Sequence, residues 1–496
     1  MTNKPIRVLI IGGGISGLSA AHYIVQKAKQ NGISVACQVI EKDERLGGKI
    51  QTERYNGFVM EGGPDSFLAR KKAAPNLCRE LGLADELVGT NPQARQNFIL
   101  HNGKLHLMPP GTMMGIPAEI GPFVRTSLIS PIGKLRAAFD LVLPKGETQQ
   151  DESLGLFLRR RLGDELLENL VEPLLAGIYA GDANLLSLQA TFPQFQELEA
   201  KHRSLILGIM NQRKSSPKPL NSTSVPSSGA VPRLPNSMFL SLRTGLIRLI
   251  ERLTDVLTAE NVQIHANQGV QTIEPPKSPN GMYTVQLENG KSVSAHVVFV
   301  TTPAIQTQKM FEPFISLPQL QEIPYVSVST VLLAYPKHLL QHSLNGSGFV
   351  VPRKEKRMIT ACTWVSSKWS HTAPDDFALL RCYVGRSGDE RFLSLTDEEL
   401  VSRVQKDLQD IMGITATPSL TRVVRWNQAM PQYLVGHLTR MKQLQETISE
   451  SLPGVFLSGA GYYGLGIPDC IQQSLDAAEK AIDYIQKQLG AYTVSG

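Results

Sequence analysis

Tryptophan and cysteine are scarce, with three Trp and five Cys in 496 residues. The cysteines, Cys37, Cys78, Cys362, Cys382 and Cys470, form no C-x-x-C pair and are odd in number. That argues against a disulfide framework and points to a reducing, cytoplasmic setting. The ten histidines fall in no metal-ligand spacing, so no metal is expected. No apolar run reaches the length of a membrane-spanning helix. The start of the chain, with Lys4 and Arg7, enters a strand and a glycine turn rather than a signal peptide. There is no dense basic arm either. The net charge of +6 is spread along the chain, which argues against nucleic acid and fits an anionic ligand or an anionic membrane surface. What remains is an ordinary globular composition, 42% hydrophobic and 19% charged, on a chain long enough for two or three domains.

The informative part is the first forty residues. Ile6 to Ile11 is an apolar, β-branched run that reads as a buried parallel strand. Gly12-Gly13-Gly14-Ile15-Ser16-Gly17 follows, then Leu18, Ala21, Val25 and Ala28 at helical spacing, then a second apolar run from Val35 to Ile40 that ends in Glu41. Strand, glycine turn, helix, strand and acid in that order form the dinucleotide-binding fingerprint. Gly12 permits the tight turn, Gly14 lets the backbone approach a pyrophosphate, and Gly17 lets the helix pack close. The helix N-terminus offers free N–H groups to phosphate. Glu41 suits ribose hydroxyls and disfavours a 2′-phosphate. The alternative is a glycine turn in some other α/β unit, and the complete order argues against it.

Lys42-Asp43-Glu44-Arg45-Leu46-Gly47-Gly48-Lys49 comes next. An Arg closely followed by Gly-Gly, just past the acid, resembles the second signature of the FAD-dependent amine oxidase superfamily. The resemblance implies that Gly48 runs beside the flavin's phosphates while Arg45 and Lys49 supply countercharge. Glu61-Gly62-Gly63-Pro64-Asp65-Ser66-Phe67 is similar to the flavin-facing segment of the protoporphyrinogen and coproporphyrinogen oxidases, more so those of Gram-positive bacteria acting on coproporphyrinogen. Met114 to Pro117, Glu172 to Asp182, Thr191 to Pro193, Lys201 to Ser204, Thr360 to Trp364 and Arg425-Trp426 before Met430 to Tyr433 agree with that family. So does Gly464-Leu465-Gly466-Ile467-Pro468-Asp469-Cys470-Ile471, which resembles its flavin-binding C-terminus. The likeness runs through nearly the whole chain. It further implies that the backbone of Val270 contacts the adenine and that Trp426 lies near the flavin. For each, an ordinary β-residue and a core tryptophan are the alternatives.

The expected fold is α/β. A discontinuous Rossmann-like FAD-binding domain is built from 1–72, 240–305 and 450–496. A mainly helical domain spans 73–210, a flexible loop 211–236, and a substrate-binding α+β domain 306–449. Glu288-Asn289-Gly290 between alternating apolar residues predicts a hairpin. Asp151 or Ser153 is expected to cap a helix carrying Phe157, Leu162, Leu166, Leu167 and Leu170. A helix opening at Pro468 is expected to run to about Leu489.

The function implied by the resemblance is FAD-dependent oxidation of coproporphyrinogen III in heme biosynthesis, with O2 as acceptor and H2O2 as product. Arg70, Lys71, Lys72, Lys201 and Arg203 are the hypothetical partners of its carboxylates. No residue compels assignment as a general base. Protoporphyrinogen IX oxidation, another flavin amine oxidase or desaturase activity, and a non-catalytic carrier on the same scaffold stay open. The Met-, Ile- and Phe-rich stretch from Pro109 to Pro131 reads as core, as the lining of an apolar cleft or as a peripheral membrane contact. Transfer of product to a downstream heme-pathway enzyme is the remaining partner expectation.

Overall fold

The computed structural model describes residues 4–146, 150–215, 234–278 and 281–489. A five-stranded parallel sheet runs in the order Gln263–His265, Val35–Ile40, Ile6–Ile11, Val297–Val300, Val455–Leu457. Its strands come from three widely separated stretches of the chain. Ile6–Ile11, Val297–Val300 and Val455–Leu457 read as largely apolar runs because both faces are covered. On one face, Val8 and Ile10 pack with Leu18 and Val25 of the helix Ile15–Gln30, Leu253 of Ile247–Ala259 and Ile471 of Ile467–Tyr484. On the other, Leu9, Ile11, Val298 and Val300 meet Tyr283, Val285 and Phe311. Tyr283–Leu287 and Ser292–Ala295 form the expected hairpin, with Gly290 at φ +81°. The C-terminal helix spans Ile467–Tyr484 and continues as a wider π-type turn over Ile485–Leu489.

A second, seven-stranded sheet has the order Leu420–Pro431, Tyr325–Pro336, Phe377–Val384, Ile359–Trp364, Gly348–Val350, Asn97–His101, Lys104–Leu107. The last two strands fall in the stretch that sequence patterning reads as mainly helical. Their turn is Asn102-Gly103, at φ +51° and +73°, the left-handed pair that Asn-Gly adopts readily. One face of the sheet packs Leu333, Cys362, Trp364, Leu380 and Cys382 on Leu400, Val404 and Leu408 of the helix Asp397–Met412. Strand alternation turns Thr330, Arg381 and Tyr383 to the opposite face.

In the helical region, the helix Leu154–Leu162 is capped by Ser153, whose hydroxyl accepts from the Leu156 N–H at 3.2 Å. Asp151 instead accepts from the Ser187 hydroxyl and the Gly436 N–H. The leucine stripe continues past a break at Gly163, φ +85°, into a second helical segment, and Phe157, Leu162, Leu166, Leu167 and Leu170 are all buried. Arg161 and Asp140, each 0% exposed, form an ion pair inside this core. The expected loop 211–236 begins within the helix Leu205–Ser215, and its stretch 216–233 lies outside the described residues. No helix among the described residues is long and apolar enough to cross a membrane.

Candidate functional site

The turn after the first strand is glycine by steric necessity at two positions. Gly12 has φ +106°. A Cβ on Gly17 would stand 1.8 Å from the Gly12 carbonyl oxygen. Gly14 differs: a Cβ there would meet only the Gly48 Cα, at 3.9 Å. The protein itself does not need a glycine at 14, so the missing side chain leaves a cradle for something else. The helix Ile15–Gln30 begins there with no side-chain cap and no acidic residue in its first turn. Its leading N–H groups, including those of Ser16 and Gly17, therefore carry partial positive charge with no protein anion in the helix to neutralise it. These features fit the diphosphate of a bound dinucleotide.

Glu41 directly follows the second strand, beside this turn. Its carboxylate accepts from the Gly13 N–H at 2.6 Å and the Asp43 N–H at 2.9 Å. The Gln268 N–H donates to the Glu41 carbonyl at 2.8 Å, which brings the approach to Val270 alongside. The Gly47 N–H donates to Gly13 O at 2.8 Å, so the two glycine motifs lie side by side. Arg45 donates to Gly48 O at 2.5 Å and Ile50 O at 3.1 Å. Lys49 donates to Ala429 O, and burial lowers its pKa. Both cations thus brace backbone carbonyls in this structure. Lys42 is exposed and pairs with Glu288 at 3.3 Å.

The segment Gly62-Gly63-Pro64-Asp65-Ser66 is held from several sides. Trp426 Nε1 and the Thr330 hydroxyl both donate to Gly62 O, at 2.9 and 2.8 Å. Arg381 donates to Gly63 O, and a Cβ on Gly63 would lie 1.8 Å from Lys49 O. Asp65 accepts from the Ser66 hydroxyl at 2.7 Å and pairs with Lys368 at 3.1 Å. Burial pushes the Asp65 carboxyl up, but Lys368 and Arg381 outweigh it and hold the group well below the usual carboxylate range. Glu61 accepts from the Leu246 N–H and the Thr52 hydroxyl, each at 2.7 Å, and burial raises its pKa to about 7.

The C-terminal helix packs beside the first turn. Ser474 donates to Ser16 O at 2.8 Å. The Gly464 N–H donates to the Tyr433 hydroxyl at 2.9 Å, and that hydroxyl donates to Ala460 O at 2.7 Å. Leu465 and Gly466 lead into the helix at Ile467. Asp469, in its first turn, pairs with Lys71 at 2.6 Å. Arg70 and Lys72 flank that pair and are exposed. Lys201 and Arg203 lie elsewhere, at the end of the helix Pro193–His202, where Arg203 donates to Val142 O at 2.8 Å. The structure thus joins Lys71 to the glycine loop and places Lys201 and Arg203 among other neighbours.

Sequence reasoning passed over Arg381 and Lys368, and took Tyr433 only as part of the family-like segment Met430 to Tyr433. Arg381 carried a signal, as a lone charge amid the apolar run Phe377–Val384. Lys368 and Tyr433 carried none that local patterning reads.

The model of the family described as flavin containing amine oxidoreductase matches residues 15–482. The coproporphyrinogen III oxidase of Bacillus subtilis (strain 168) is 42% identical over 485 residues, covering 98% of this chain and all of its own. The enzyme of that name from Staphylococcus aureus (strain NCTC 8325 / PS 47) is 39% identical, covering 96% of this chain and 98% of its own. A crystal structure from Exiguobacterium sp. 255-15, whose protein is described as a protoporphyrinogen oxidase by designation only, superposes with a TM-score of 0.84 at 37% identity, covering 98% of this chain and 100% of that one. Near-complete coverage and the glycine cradle lead to one conclusion: this chain belongs to the flavin containing amine oxidoreductase family, uses FAD, and stands beside the coproporphyrinogen III oxidases within it.

Proposed function

We propose that this protein oxidises coproporphyrinogen III to coproporphyrin III in heme biosynthesis, with O2 as final acceptor and H2O2 as product. The observation that carries the reading is the 42% identity with the Bacillus subtilis coproporphyrinogen III oxidase across 98% of the chain. FAD, when bound, supplies a two-electron acceptor, and three such oxidations convert a porphyrinogen to a porphyrin. The chain's own residues bind and orient. The first-turn N–H groups after Gly14 neutralise phosphate, and Glu41 accepts from ribose hydroxyls. The Gly62–Ser66 backbone is fixed from behind by Trp426, Thr330 and Arg381. Lys71, with Arg70 and Lys72 beside it, meets a propionate at the mouth.

The test is aerobic turnover of purified coproporphyrinogen III and protoporphyrinogen IX by the flavin-loaded protein, followed by porphyrin fluorescence and peroxide release. A higher kcat/KM for the tetracarboxylate with stoichiometric peroxide is expected. Preference for protoporphyrinogen IX would establish the second reading, which the Exiguobacterium protein's designation favours. Turnover of neither would overturn both.

We also propose a peripheral membrane contact and passage of the porphyrin to a following heme-pathway enzyme. Ile120, Val124, Ile132 and Leu135 are 61%, 57%, 81% and 63% exposed on two neighbouring short helices, beside the exposed Arg125. An apolar patch with basic flanks suits an anionic bilayer surface.

A further inference from the structure

Arg381 is buried, 4% exposed, yet poorly partnered. One terminal nitrogen donates to Gly63 O, and the guanidinium lies 4.8 Å from the centre of the Tyr383 ring. Its Nε and Nη1 have no hydrogen-bond partner among the described residues. Arg381 lines a small cavity together with Glu61, Asp65, Ser241, Trp369 and His371. Leaving two donors of a buried cation unused is costly. A cation serving only as half of an ion pair would sit against a carboxylate. Here Asp65 is taken by Lys368 and Ser66, and Glu61 by Leu246 and Thr52. Arg381 thus lies in the field of both carboxylates but hydrogen-bonds neither, and its one bonded nitrogen is on the Gly63 carbonyl.

We infer that Arg381 is a positioning residue that clamps the Gly63 carbonyl and holds a positive charge behind the flavin-facing segment, biasing the bound flavin toward its reduced state. The inference rests on reading Gly62–Ser66 as the segment that faces the flavin. Fixed charge in a dry site acts without reorganisation and favours the more negative form of a nearby redox group. Glu61 opposes Arg381. Asp65 and Lys368 cancel locally, and His371, whose pKa burial and Arg243 lower, is neutral.

The experiment uses the full-length flavin-loaded protein and reads the oxidised-to-reduced flavin ratio at equilibrium with a redox dye at pH 8, with no porphyrinogen present. Arg381→Met is expected to raise that ratio about tenfold and Arg381→Lys to recover most of the change. Glu61→Gln, which removes the opposing charge, is expected to lower the ratio about threefold, and it keeps the inference testable if Arg381→Met fails to fold. Equal shifts in the Met and Lys variants would reduce Arg381 to packing and overturn the inference. An unmoved ratio in Glu61→Gln would overturn it as well. Protein that retains no flavin overturns the functional reading instead, and the inference falls with it.

Discussion

The ammonium of Lys71 stands 2.6 Å from Oδ1 of Asp469, joining the chain just after the Gly62–Ser66 segment to the first turn of the C-terminal helix. The lysine is 41% exposed, so the pair is worth little by itself. On the proposed reading, an incoming propionate displaces Asp469 at small cost. We predict that Lys71→Ala raises KM for coproporphyrinogen III about tenfold with kcat nearly unchanged, the loss of one charge-assisted hydrogen bond. Asp469→Asn frees the lysine and lowers KM. Steady-state kinetics on both variants decides it, and an unchanged KM in Lys71→Ala removes that residue as an anchor.

Gly14 and Gly17 separate fold from ligand. A Cβ at 17 collides with Gly12 O at 1.8 Å, so Gly17→Ala is predicted to destabilise the flavin-free protein by about 1–3 kcal/mol as well as to lose flavin. A Cβ at 14 meets nothing closer than 3.9 Å. Gly14→Ala therefore keeps the melting temperature of the flavin-free protein and weakens flavin at least about tenfold. Equal flavin affinity in Gly14→Ala and wild type would refute the cradle.

Two buried groups pull stability in opposite directions with pH. Burial raises Glu61 from 4.5 to about 7, against the Leu246 and Thr52 hydrogen bonds and Arg381. Between those values the folded chain binds more protons than the unfolded one, so stability falls as pH rises, by about 3 kcal/mol across the window. Burial lowers His437 from 6.5 to about 4, only partly countered by its hydrogen bond to Tyr462 O. There the unfolded chain binds more protons, and stability falls as pH drops, by a similar amount. The two nearly cancel in wild type. Urea unfolding from pH 5 to 8 should show stability falling with rising pH in His437→Phe and rising in Glu61→Gln. Parallel curves for all three proteins would contradict this.

Asp140 accepts from Arg161, from the Ser204 hydroxyl at 2.5 Å and from the Ile206 N–H at 3.0 Å, all in the core of the helical region. Asp140→Asn removes one of the two carboxylates, Asp140 and Glu199 at 3.3 Å, that face a guanidinium 0% exposed, and is predicted to cost about 1–3 kcal/mol. Denaturant titration checks it, and a cost below 1 kcal/mol would mean the charge is compensated elsewhere.

If the patch around Ile132 and Leu135 rests on a bilayer, Ile132→Ser with Leu135→Ser should abolish co-sedimentation with anionic phospholipid vesicles and leave turnover in solution intact. Wild type that stays in the supernatant would dismiss the contact.

Much of the architecture was legible in the residues themselves. The strand, glycine turn, helix and acid of 6–41, the hairpin at Asn289-Gly290 and the helix from Ile467 follow from local period, glycine chemistry and capping, which act over a few residues. Asn102-Gly103 carried the same turn signal, but its flanking strands are short and their partner is distant: Asn97–His101 pairs in parallel with Gly348–Val350. What the tertiary structure alone decided is which charges meet which groups. Lys49 turns to the Ala429 carbonyl, Lys71 finds Asp469 398 positions away, and Arg381 reaches Gly63 from the far sheet. A side chain's charge is written in its residue type, but its partner is set by packing between segments remote in the chain, and no local pattern encodes that distance.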